Sequence, residues 1–334
     1  LSLYKTTPFY NDWLDVSGMI AGSGENHKLN LEPDFFEKLY PFNDAKKKQW
    51  RIEAAKRCAE TLGQFPALCF SGGIDSQAML HCWAEADLEA HVIIFTFKNE
   101  LNKQDSYHAK QYCNTHGIPY REIEFDIINF LVQDNVAMTE KYGGVSPQFN
   151  THYRFVEILT QLGYTGVCFG GQAPLRNNGI HGINMNTTVY HWTKITNFPI
   201  PIQGSFLSFS PELSWAITLQ TQDSKINLNM DNSKKYRDEF EKTRYNDKVL
   251  GYKKCGFDII QQPQKYTGFE LVKDYFEEQT GDGWTFEKRF RHPLVMLGNG
   301  KYNKDTTRNY HIDLTDQQRN AIDSIYLNHF PSSD

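Results

Sequence analysis

Ala67-Leu68-Cys69-Phe70-Ser71-Gly72-Gly73-Ile74-Asp75-Ser76 is the stretch on which the fold turns. An apolar run stops at Ser71, two adjacent glycines follow, and apolar residues then resume at helical spacing. That order predicts a strand, a tight loop and a helix. Adjacent glycines let the backbone turn sharply and approach an anion without side chains in the way. The helix behind them offers unpaired N–H groups and the positive end of its dipole. Ser71 and Ser76 add hydroxyl donors, so the pattern points to phosphate binding.

Working outward, the alternation of strand and helix continues. A helix is expected over residues 44–63, with Ile52, Ala55, Cys58, Ala59 and Leu62 on its apolar face. Strands are expected at Ala67–Phe70, His91–Phe97, Pro119–Phe125 and Thr165–Phe169. Helices are expected at Ser76–Ala86, at about Lys103–His116, and over roughly 126–141 and 150–162. Short apolar strands separated by helices of this length predict an α/β fold, a parallel sheet with helices on both faces. A ligand then lies at the carboxyl edge where strand order reverses. Ser71–Ser76, Thr96–Asn99 and Gly170-Gly171-Gln172 all end strands at that edge.

The order Ser71-Gly72-Gly73-x-Asp75-Ser76 resembles the Ser-Gly-Gly-x-Asp-Ser loop of the PP-loop ATP pyrophosphatases, which include asparagine, GMP and NAD synthetases and several tRNA-modifying enzymes. It is not a Walker A loop: no Gly-x-x-x-x-Gly-Lys-Ser/Thr occurs. The resemblance implies ATP and Mg2+ as cofactors and adenylation of a carboxylate or carbonyl oxygen, with a nitrogen nucleophile displacing AMP. It assigns Ser71, Gly72, Gly73 and Ser76 to the β- and γ-phosphates. Asp75 orients the loop or magnesium, or simply complements the helix dipole. Adenine is expected against the backbone of Phe95, Thr96 and Phe97. Gly170 and Gly171 open the loop where related synthetases carry an acidic residue, and this chain departs from them, having no Asp or Glu between Gly166 and Gly182. Arg176 is the candidate to face the α-phosphate or a substrate carboxylate, since a guanidinium fork suits both. Arg154 and Lys194 are further candidates to neutralise the leaving pyrophosphate.

Composition narrows the classes. The chain has 334 residues, 40 % hydrophobic and 22 % charged, with net charge −5, an ordinary soluble composition that does not suggest a nucleic-acid coat. No apolar run reaches transmembrane length and no cationic-then-apolar leader stands at Leu1, so no membrane role is expected. Six cysteines without paired spacing suggest a reduced, cytoplasmic protein. Cys113-x-x-His116 reads as a helix end before Gly117 rather than a metal site.

Three regions are expected: a lead-in and helix over 1–66, the ATP-binding core over 67–182, and a mostly helical substrate region over 183–334. Within the last, helices are expected from Ser210-Pro211 onward and over 231–255, 268–279 and 315–329. Lys288, Arg289, Arg291 and His292, interleaved with Phe286 and Phe290, suit a solvated face better than RNA. The partners expected are a small-molecule substrate with a carboxylate or carbonyl and a source of ammonia, since no glutaminase domain fits before the loop. The alternatives are a nucleobase- or tRNA-modifying enzyme of the same chemistry, with nucleic acid then as substrate, and a nucleotide-binding scaffold without catalysis.

Overall fold

The computed structural model describes residues 43–142, 147–171, 199–204, 206, 213, 216, 217, 245–262 and 268–280. Among them five strands form one parallel sheet: β1 (Pro66–Cys69), β2 (His91–Phe97), β3 (Tyr120–Phe125), β4 (Gly166–Phe169) and β5 (Ile202–Gln203). Their order is β3-β2-β1-β4-β5. β1 pairs with β2 through Ala67↔His91 to Cys69↔Ile93, and with β4 through Pro66↔Gly166 to Cys69↔Phe169. The chain therefore runs outward on one side of β1 and then returns to start again on the other. The two directions part at the carboxyl ends of β1 and β4, where a parallel sheet opens a crevice. The α/β reading of the sequence holds.

The interior strands are mostly apolar because both of their faces are covered, with the half-buried His91 and Thr96 of β2 as the polar positions. Leu68, Val92, Ile94 and Cys168 point to one layer, shared with α1 (Lys47–Leu62), α2 (Ile74–Glu85), α3 (Lys103–His116) and residues 245–259. Ala67, Cys69, Ile93, Phe95, Val167 and Phe169 point to the other, shared with α4 (Asn135–Tyr142), α5 (Pro147–Gln161) and α7 (Glu270–Thr280). A π turn, Phe130–Asp134, leads into α4. In α3, Gly117 at φ 65 closes the helix, its N–H reaching the carbonyls of Asn114 and Cys113. His116, one residue earlier, turns Nδ1 to the Tyr112 carbonyl at 2.9 Å.

Helix α1 is rotated from its expected face. Trp50, Arg51, Ala54, Ala55, Cys58 and Leu62 are buried, whereas Ile52 and Ala59 are only half-buried. The reason is Arg51, which the apolar periodicity passes over. Its guanidinium forks onto Glu85 of α2 at 2.7 and 2.6 Å and donates its third contact to the Cys255 carbonyl at 2.5 Å. Phe257 covers it, with the ring centroid 5.5 Å from Cζ. Burial tends to raise the Glu85 pKa, but the hydrogen bonds and charge of Arg51, with His81 near, bring it below the usual carboxylate value. This knot fastens α6 (residues 245–254) and the turn after it to the layer that carries α2.

The expected helix 231–255 is seen over 245–254, and 268–279 as α7; positions 1–42, 172–198, 231–244, 281–334 and the Ser210-Pro211 helix start lie outside the described residues. No helix among the described residues is long and apolar enough to cross a membrane.

Two stability measurements test this packing. Arg51→Ala leaves the largely buried Glu85 carboxylate and the Cys255 carbonyl without their partner, and a loss of about 3 kcal/mol is expected in urea unfolding. His152 of α5 is held neutral by burial, its pKa pulled down to about 4. The unfolded chain then binds the extra proton first, so stability is full above about pH 6.5 and declines as pH falls toward 4. At pH 5 the loss relative to pH 7 is about 2 kcal/mol, and His152→Gln removes that component.

Candidate functional site

The turn after β1 is shaped by one glycine and opens directly onto the start of a helix. Phe70 makes the last sheet bond, its N–H to the Ile93 carbonyl at 2.8 Å, and the chain then leaves the sheet. Gly72 turns it with φ +74, and a side chain there would begin 2.6 Å from the backbone nitrogen of Ala109 in α3. Only glycine fits both the dihedral and the contact. Gly73 is different: at φ −67 and ψ 158 it is ordinary extended backbone serving as the N-cap of α2. The expectation that both glycines make the turn is thus corrected. Gly72 makes it, and Gly73 presents the helix start.

No side chain caps that start. The Gln77 N–H is the first to bond within the helix, to the Gly73 carbonyl at 2.9 Å, which leaves the N–H groups of the preceding turn for a ligand. Ser76 Oγ donates to the same carbonyl at 2.8 Å and lies 3.4 Å from Ser71 Oγ. On the other side of the crevice Gly170 lets the end of β4 run flush against α2: a Cβ there would sit 2.6 Å from the Ser76 nitrogen. Gly171 follows with φ 69. The structure therefore brings Ser71, Gly72, Gly73, Asp75, Ser76 and Gly170 together at the point where strand order reverses.

Three partners reach this loop from far along the chain, and sequence periodicity shows none of them. Gln77 is completely buried, and its amide donates to the Gly72 carbonyl at 2.9 Å and the Ile260 carbonyl at 3.0 Å while accepting from the Ile260 N–H at 2.8 Å. Asp75, in the first turn of α2, accepts from Lys248 Nζ at 2.5 Å on one oxygen and from Tyr252 Oη at 2.6 Å on the other. Lys248 and Tyr252 are successive-turn neighbours on α6. Tyr252 is wholly buried, and burial together with the Asp75 charge pushes its pKa well up, so it remains a donor. The one local clue is Gln77 itself, a polar residue on the apolar face that carries Ile74 and Ala78.

The end of β2 is less open than expected for adenine. Asn102 turns its side chain back, accepting from the Phe97 N–H at 2.7 Å and donating to the Phe95 carbonyl at 2.9 Å. Two of the backbone groups expected to read a base are already engaged. Thr96 lies between them on the α2–α3 side of the sheet, half-buried. Directly beyond, Asn99 and Glu100 both hold φ 57, a left-handed conformation that side-chain-bearing residues seldom adopt.

Arg154 sits on α5, in the opposite helical layer. Its guanidinium is 2.7 Å from Glu157, which also receives Lys141 at 2.6 Å and Tyr142 at 2.9 Å. The described contacts place it in this surface cluster rather than with Asp75. Arg176 and Lys194 lie outside the described residues. The cysteines are free and buried, with Cys58 and Cys168 sulfurs 3.6 Å apart; burial first, and then Cys58, holds the Cys168 thiol well above its usual pKa.

The fold is α/β, with a glycine turn and an uncapped helix start at the switch point of a parallel sheet. No known protein-family model matches the chain, and no curated protein matches it. Among solved structures, the NMN synthetase from Francisella tularensis is similar at 12 % identity and a TM-score of 0.37, over 87 % of this chain and 95 % of that one. At that level the likeness assigns no activity to this chain.

The two glycines separate experimentally. Gly72→Ala forces an alanine into the left-handed region and against the backbone of α3, and a loss of at least about 2 kcal/mol is expected in chemical unfolding. Gly73→Ala, at a dihedral any residue adopts, changes stability by less than about 1 kcal/mol.

Proposed function

We propose that the chain is an ATP pyrophosphatase of the adenylating kind: it holds the β- and γ-phosphates of ATP on Ser71–Ser76 and transfers AMP to a carboxylate or carbonyl oxygen of a small molecule. The observation that carries this reading is the uncapped start of α2 behind a glycine-tight turn, placed at the sheet's switch point. Backbone N–H groups there are fixed in advance and aimed at one spot, the arrangement that stabilises charge developing on a leaving group without reorganisation. In the step itself, the substrate oxygen attacks the α-phosphorus, the bond to the oxygen bridging α and β breaks, and pyrophosphate departs held by the loop. A nitrogen nucleophile then attacks the activated carbon, and AMP leaves with the oxygen it received.

The described residues do not build a magnesium site of their own. Asp75 is the acidic side chain of the loop, and both its oxygens accept from Lys248 and Tyr252. No group of three His, Cys, Asp or Glu side chains among the described residues could hold a metal. A divalent ion in this reading arrives with ATP as part of the substrate. Nitrogen is favoured over sulfur as the second nucleophile because a thiol route needs an accessible thiolate. Cys168, the cysteine nearest the crevice along β4, is buried and kept protonated.

The test is product analysis with α-labelled ATP, ammonium and a panel of small carboxylates. AMP and pyrophosphate in equal amounts, dependent on one carboxylate, support the reading. ADP as the main product overturns it, and ATP binding without turnover on any carboxylate or nucleobase substrate leaves a binding scaffold in its place.

A further inference from the structure

We infer that Lys248 is a phosphate-binding residue of the nucleotide site, delivered to it by α6, and that Asp75 and Tyr252 are the positioning residues that aim it. The inference rests on the ATP-binding reading above and adds to the loop a cation that the loop's own sequence lacks.

The ammonium lies 2.5 Å from a carboxylate in the first turn of α2, the same turn whose N–H groups face the anion site. Lys248 is only 12 % exposed, and Asp75 18 %. Holding a lysine so nearly out of water is costly unless its donors are met. An ammonium has three, and among the described residues Asp75 is its one acceptor. Two of its N–H directions therefore have no acceptor among the described residues, beside a carboxylate that belongs to the loop's own helix turn. Tyr252 donates to the second Asp75 oxygen and so fixes the carboxylate plane. It stands one helical turn from Lys248, so the pair grips Asp75 as a unit. Asp75 then has a function other than holding a metal: it takes part of the lysine charge when the site is empty and keeps Nζ beside the loop when an anion enters.

The placement of α6 is itself secured on three sides, by Asp75, by the Arg51 bond to the Cys255 carbonyl, and by the paired bonds of Gln77 to Ile260. A lysine delivered by so fixed a helix loses little further freedom on contact with phosphate, which is the condition for charge to serve binding.

Inorganic pyrophosphate without metal, in chelator, is the probe. Calorimetric titration of wild type, Lys248→Gln, Lys248→Arg, Asp75→Asn and Tyr252→Phe gives the comparison. Lys248→Gln is expected to weaken pyrophosphate binding at least tenfold and to flatten its dependence on salt, while Lys248→Arg retains most of it. Asp75→Asn removes a competing anion, so binding of the metal-free probe is unchanged or tighter, whereas turnover falls because Nζ is no longer aimed. Tyr252→Phe moves turnover in the same direction to a smaller extent. Wild-type affinity and salt dependence in folded Lys248→Gln overturn the inference and make the contact a structural clamp. If the variants do not fold, a crystal of the wild-type protein with pyrophosphate decides: Nζ within hydrogen-bond distance of a phosphate oxygen supports the inference, and Nζ bonded to Asp75 alone with pyrophosphate present on the loop overturns it. Failure of wild type to bind either pyrophosphate or ATP is a different result, since it removes the underlying reading of the loop.

Discussion

A buried amide must find partners for its oxygen and both its hydrogens, and at Gln77 that requirement governs how the molecule is put together. The side chain is completely enclosed beneath the loop. Its NH2 group meets two carbonyls, Gly72 and Ile260, and its oxygen meets the N–H of Ile260. Leaving any of these unmet in a low-dielectric interior costs more than the hydrogen bond itself contributes. The turn after β1 and the irregular segment after α6 are thus not independent surfaces. Each is held in its shape by the same side chain, and the loop cannot take another conformation without unsealing the contact with Ile260.

The sheet and its covering helices were legible in the sequence because their signals are local. His91–Phe97 is a seven-residue apolar run and forms β2 over the same limits. Lys103–His116 ends at a glycine that adopts the left-handed cap the pattern calls for. The carboxyl edge was legible as the place where the loops after β1, β2 and β4 converge, but the strand order that puts the switch between β1 and β4 was not, since the long connection from β3 to β4 leaves it open. What escaped was carried by pairs remote in sequence. Asp75 meets residues 173 and 177 positions away, and Gln77 one 183 positions away. Arg51 escaped for a related reason: a charged residue reads as an exposed one until the carboxylate opposite it is known. Asn102 was hidden differently, since an asparagine after a strand signals a turn, and nothing in its spacing says that it folds back to seal the strand it follows.

The site's electrostatics differ accordingly from those the motif alone suggests. The loop's own sequence carries one negative side chain, Asp75, and no cation to balance it. In the folded protein that aspartate faces a lysine and a tyrosine hydroxyl, so the local balance is close to neutral, with the dipole of α2 adding positive potential. Of the cations that the sequence offers for the site, Arg154 is matched by Glu157 on the far layer, and Arg176 and Lys194 lie outside the described residues.

The long reach from Gln77 to Ile260 also bears on how the chain matures. A polypeptide made from its amino end presents β1, the glycine turn and α2 well before Ile260 exists, and during that interval the Gln77 amide has its local partner at Gly72 but lacks both of its bonds to Ile260. Contacts of such high sequence separation form late because a large loop must first close. The parallel sheet up to β4 is complete by residue 169, yet the turn after β1 gains its remote contacts only when α6 and the segment after it dock. The turn at the switch point is therefore finished only after α6 has been made, and a chain cut short before residue 245 would lack the backbone partner at Ile260 that holds Gln77 and, through it, the shape of that turn.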